Sequence, residues 1–216
     1  MTSNSALERK RKSEAILLEE GVPFASHLPV VENEETAQIR DHKEVAWRAM
    51  ALNIVACKGE GLEQSRVLAL IDQYKLTDVL TPNELHFILS DAPSEHERKQ
   101  FVWRYEAYWV LLWALHYVEE LGRPDQICDV PRAVGIMVER TAAEFIRDAR
   151  LRTAGEILDV VDLIYRYDWA CVDARLNGKA VPGGLDSDVV VERHQALNWL
   201  VGYGDNADWD HVSTDT

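Results

Sequence analysis

The stretch ILDVVDLIYRYDWACVDAR, residues 157–175, is apolar enough for a buried helix, yet it carries Asp159, Asp162, Arg166, Asp168, Asp173 and Arg175. On a helix turning about 100° per residue, Arg152, Glu156, Asp162, Arg166 and Asp173 all fall within about 60° of Asp159. Close carboxylates raise one another's pKa. One can then serve as acid and another as base near neutral pH, or together they can hold a divalent cation through oxygen. Arg166 would grip an anionic substrate group through two parallel N–H bonds. The same residues also suit structure. Asp162 and Arg166 have the i,i+4 acid-before-base spacing of an intrahelical ion pair. A charged stripe is also what the wet face of an amphipathic helix looks like, and a partly buried network could tie the stripe to Arg104 or Arg193. Asp168 and Arg175 sit on the opposite, apolar side, where an amphipathic helix gives them no purpose.

A second segment, VVERHQALNWLVGY at 190–203, crowds Glu192, Arg193, His194 and Asn198 onto one short helix with Trp199. His194 and Asn198 are spaced i,i+4 and face together, and a histidine titrating near neutrality is a candidate general base. An enzyme built here would draw on Asp159, Asp162, Arg166, Glu106 and His194. The wider polar cluster adds Arg104, Glu156 and Arg193. Glu156 and Asp159 have the i,i+3 spacing seen in all-helical nucleotide pyrophosphatases. The ExxE of Glu32–Glu35, however, lies far upstream in a loop. His116 with Glu119 or Glu120 supplies two metal ligands, one short of a site. HExxH, GxSxG, the P-loop and GxGxxG are all missing, so no cofactor or metal is expected. Cys57, Cys128 and Cys171 form no CxxC pair and read as buried free thiols in a reducing compartment.

The elements that position these residues are helical. Asp41–Glu44, Thr81–Glu84, Ser94–Glu97 and Thr153–Glu156 fit the capping box, in which the first side chain takes a backbone N–H and the glutamate reaches back. Pro82 sits at a first helical position, where its missing N–H costs nothing. The patterns predict helices near 7–20, 41–58, 63–75, 81–90, 94–121, 131–149, 153–177 and 187–202. Stops appear at Gly21-Val-Pro23, Gly122-Arg-Pro124 and Asn177-Gly178. Period-two alternation is missing. The fold class expected is therefore all-α: about eight helices in one domain over 1–216, packed around a Trp-rich helix at 94–121. The loop at 21–40 could wrap the surface, and the glycine-rich loop at 178–186 reads as a connector. Residues 1–6 and 205–216 are expected to be loose unless Trp209 pins the tail. The basic run Arg9-Lys-Arg-Lys12 reads as a solvated first turn.

The chain has 216 residues and a net charge of −14. That excess works against nucleic-acid binding, which needs clustered lysine and arginine, and would steer a basic protein toward the surface. YWVLLWAL at 108–115 is too short to span a membrane, and the N-terminus lacks an apolar run after its basic cluster. A cytoplasmic location is expected.

The succession RKRKSEAILLEEGVP, LPVVENEE, EVAWRAMAL, LTPNELHFI, WRYEAYWVLLWAL, LRTAGEILDVVDLIYRYDWACVDAR, VVERHQALNWL and WDHVSTDT resembles the DUF4272 domain family over nearly the whole chain. The resemblance implies a bacterial domain of unknown function, and it carries over no activity, cofactor or catalytic residue. The first expectation for function is a non-enzymatic interaction protein, acidic, in the manner of an immunity or antitoxin protein that inhibits a basic partner. A hydrolase or metal-dependent enzyme on the cluster above is the alternative. A structural or dimerising domain is the third, with monomer against homodimer left open.

Overall fold

The structure, a computed structural model, describes residues 4–206 and 208–216. Among these there is no strand, and the all-α expectation holds. The helices are α1 (Asn4–Glu19), α2 (His42–Glu60), α3 (Gln64–Tyr74), α4 (Pro82–Leu89), α5 (Glu95–Val102), α6 (Arg104–Ala114), α7 (Val130–Val138), α8 (Ala142–Asp148), α9 (Ala154–Leu176), α10 (Ser187–Leu200) and α11 (Tyr203–Asn206). Short 3₁₀ turns lie at Pro182–Gly184 and Trp209–His211.

Two expected helices are broken. The single helix at 94–121 is α5 and α6, divided at Trp103. α5 has no buried residue, whereas every residue of α6 from Tyr105 to Ala114 is buried. Both halves pack on α2, and α5 approaches so closely that a Cβ on Gly59 would lie 2.8 Å from the Val102 nitrogen. A straight rod could not keep that approach and also sink α6 into the core. α6 then stops at Ala114, short of Gly122, because His116 turns left-handed (φ 59°) and the Tyr117 N–H closes back on the Leu112 carbonyl. The expected helix at 131–149 is α7 and α8. Thr141 and Glu144 form a capping box that starts a new helix there. The boxes at Thr81, Ser94 and Thr153 are present with both reciprocal bonds. Asp41 does cap α2, but Glu44 turns away to pair with Arg40.

Packing runs α1 on α9, α9 on α10, α10 on α6, α6 on α2, and α2 on α5, α3, α8 and α4. α2 shares the centre with α6: from Val45 to Ala56 only Trp47 is not fully buried. The buried core is continuous from Leu17 to Trp209.

The 20–41 segment is fastened by cations from two helices. Lys10 of α1 donates to the Ser26 and Leu28 carbonyls, Arg9 to Glu32, and Arg166 of α9 to Pro29. The tail is pinned through Trp209, which is buried edge-on against Trp199 at 5.5 Å, and through the Asn198 amide on the Ser213 carbonyl. Among the described residues no helix is long and apolar enough to cross a membrane.

Candidate functional site

The charged stripe of α9 is not one pocket: it is partly wet at Glu156 and Asp159 and buried at Asp162 and Arg166. It resolves into separate pairs, each with its own partner. Glu156 is spent as the capping-box acceptor for Thr153 and as an ion-pair partner of Arg152 at 3.3 Å, and those bonds hold its carboxyl below the usual range. Asp159 receives Arg9 Nε at 3.1 Å and Lys12 Nζ at 2.5 Å, both from α1. Arg9 also reaches Glu34 at 2.5 Å. The run 9–12, expected to be solvated, therefore includes a cation that is 4% exposed and clamps α1 onto α9.

Asp162 and Arg166 form a bidentate pair, Nε to Oδ2 at 2.9 Å and Nη2 to Oδ1 at 2.8 Å, with both side chains at 0% exposure. Arg166 Nη2 also holds the Pro29 carbonyl at 3.1 Å, while Nη1 is buried without a partner. Although Nη1 is unused, the guanidinium is wholly buried between its own helix and the 20–41 segment, so a substrate anion does not reach it.

Among the described residues Arg104 and Arg193 pair with groups outside α9, unlike the network that is one reading of the stripe. Arg104 bonds Glu192 at 2.7 Å and Gln195 at 3.1 Å, joining α6 to α10. Burial pushes the Glu192 carboxyl up and Arg104 pulls it back. Arg193 meets Glu106 at 3.0 Å, and Glu106 also accepts the Cys128 backbone N–H. Arg193 further donates to the Gly122 carbonyl at 2.8 Å, which ties down the loop after α6. Glu106 and Arg193 thus form a cross-link between α6 and α10, apart from the α9 stripe.

His194 is the exception among the candidates. Its Nδ1 lies 2.8 Å from Asp168 Oδ2, with both residues buried, and Asp168 is the one carboxylate on the apolar side of α9. The carboxylate accepts, so in the neutral ring Nδ1 carries the proton and Nε2 is the free acceptor. His194 and Asn198 together line a cavity of about 370 Å³ closed by Pro29–Glu32, α9, α10 and the tail. Asp168 instead lines a second cavity of about 530 Å³ with Cys171, Arg175 and Lys179. Tyr165 stands beside the imidazole at 6.1 Å between ring centres, its hydroxyl pushed up by burial.

Two features went unread. Arg48 of α2 pairs with the buried Glu84 at 2.5 and 2.7 Å, so that glutamate caps α4 and ties it to α2 at once. The Thr153–Glu156-style signature at Thr81–Glu84 announced only the cap. Tyr105 donates to Glu60 at 2.7 Å and lies 3.3 Å from Cys57 Sγ. The three thiols are free, Cys128 and Cys171 buried and Cys57 half-buried. Among the described residues no group of three or more His, Cys, Asp and Glu is arranged to hold a metal ion.

Residues 9–212 match a family described as a domain of unknown function (DUF4272). No curated protein and no solved structure matches the chain.

Proposed function

We propose that this chain, which belongs to the DUF4272 family, is a non-enzymatic binding protein whose acidic surface takes a basic protein partner. One observation supports this above others: the fold spends its cations internally. Among the described residues Arg9, Arg48, Lys58, Arg152, Arg166 and Arg193 are buried, against only Glu84, Glu106, Asp162 and Asp168 of the acids. Burial therefore leaves the exposed face more negative than the overall −14. Such a face raises the encounter rate with a basic partner and opposes acidic ones. Inhibition of that partner, as an immunity or antitoxin protein performs it, is the role this chemistry suits. Affinity capture from the source cell at low and at high ionic strength tests the reading. A basic protein held at low salt, released at high salt, and lost when exposed glutamates are changed to glutamine is the expected result. Capture that ignores both salt and charge neutralisation refutes it.

One specific observation favours a second reading as a hydrolase: the buried Asp168–His194 pair orients an imidazole that lines a cavity. A hydrolytic activity that survives His194→Gln would remove it.

A further inference from the structure

We infer that the cavity between Pro29–Glu32, α9, α10 and the tail binds a small organic amine, an apolar or aromatic body carrying one cationic head. This inference is independent of the surface proposed for a protein partner. At about 370 Å³ the space falls at the small end of ligand pockets and suits a molecule of roughly a dozen non-hydrogen atoms. Its inner part is Leu158, Val161 and Val201, all buried, so the body of the ligand is driven in by loss of apolar surface from water.

The polar groups select the head. His194, 2% exposed, has given Nδ1 to Asp168, and its remaining nitrogen accepts a hydrogen bond when the ring is neutral. The Asn198 amide nitrogen is committed to Ser213 at 2.9 Å. A ligand N–H or O–H donor therefore matches the free nitrogen of the neutral ring. Charge at the mouth narrows the choice further. Glu32 and Asp215 line it, and no lysine or arginine does. The hydroxyl of Ser213, at 2.5 Å, keeps Asp215 below the usual carboxylate range and so ionised. Tyr203, which donates to Asp215 at 3.4 Å, adds an aromatic face that a cation favours. An anionic ligand would meet two carboxylates, and no lysine or arginine lines the cavity to offset them. Arg166 and Arg9, which bond the Pro29 and Glu32 carbonyls behind the wall, do not line the cavity and are already paired with carboxylates.

Three probes with one ring and different heads separate these contributions: phenethylamine, 2-phenylethanol and phenylacetate, titrated against the full chain by calorimetry and ligand-observed NMR. Phenethylamine should bind with a Kd on the order of 1 mM or tighter, 2-phenylethanol more weakly, and phenylacetate not measurably. Asp215→Asn, at an exposed position, should weaken the amine about threefold to fivefold and leave the alcohol unchanged. Val161→Trp should abolish binding of both by filling the cavity, with folding checked by circular dichroism. Phenylacetate binding as tightly as the amine, amine binding indifferent to Asp215→Asn, or no binding of any probe would each overturn the inference.

Discussion

Replacing Asp162 by leucine should destabilise the protein by about 3–5 kcal/mol, because it strands a guanidinium in the interior. Both side chains of the Asp162–Arg166 pair are at 0% exposure and share two bonds of 2.8 and 2.9 Å. Without the carboxylate, Arg166 keeps only the Pro29 carbonyl at 3.1 Å, and Nη1 already lacks a partner. Arg166→Met should cost a similar amount by leaving the carboxylate buried alone. The double variant should lie within about 2 kcal/mol of the parent. It removes both charges and fills the space with hydrocarbon, and it forfeits mainly the Pro29 anchor, worth about 1 kcal/mol. Asp159→Ala is the control. Its carboxylate is 36% exposed, so losing Arg9 and Lys12 should cost only about 1 kcal/mol. Urea unfolding followed by tryptophan fluorescence gives the full cycle, with the slopes compared to confirm a common denatured state. A loss below about 1 kcal/mol for Asp162→Leu, or a double variant that costs the sum of the singles, refutes the assignment of a buried, mutually dependent pair.

Gly59→Ala should destabilise by at least about 1–3 kcal/mol in the same assay, because the new methyl would meet the Val102 nitrogen at 2.8 Å and the Arg98 carbonyl at 2.9 Å, both backbone atoms. A neutral or stabilising Gly59→Ala would mean that α5 does not lie against α2 as described. Stability should also fall as pH rises above about 9. Burial pushes the Cys57 and Cys128 thiols up and takes Cys171 to about 11, with the charge of Asp168 adding to it. The unfolded chain then loses thiol protons that the folded chain keeps. The stability these thiols confer is fully present below their ordinary pKa and is lost as pH climbs toward 11 at Cys171. Urea midpoints at several pH values, for the parent and for Cys171→Ser, test this. A midpoint equally flat in both across that range would contradict it.

What could be read from the sequence was whatever has its partner close by in the chain. The capping boxes at Thr81, Ser94 and Thr153 and the i,i+4 pair Asp162–Arg166 are complete within a turn or two of helix, so spacing points to them, although the same spacing at Asp41–Glu44 gives only a cap because Glu44 pairs with Arg40. Arg9 failed that test because its carboxylate, Asp159, lies 150 residues away, and nothing within four residues distinguishes a clamp from a wet turn. The break at Trp103 failed for a related reason: the local pattern is continuous there, and what divides α5 from α6 is the close approach of α5 to Gly59 on another helix. Asp168 falls between these cases. Its place on the apolar side of α9 marked it as needing a partner, since an unpaired buried carboxylate is costly. His194 was marked separately, by its neighbours on α10. Neither signal contained the other, because only the packing of α9 on α10 joins them. A polar residue on the wrong side of its helix needs a long-range contact only where packing buries it, as it does Asp168; Arg175, on the same side near the end of α9, is exposed. Asp168 and His194 lie on helices that pack together, and only that packing turns the two separate signals into one pair at a cavity wall.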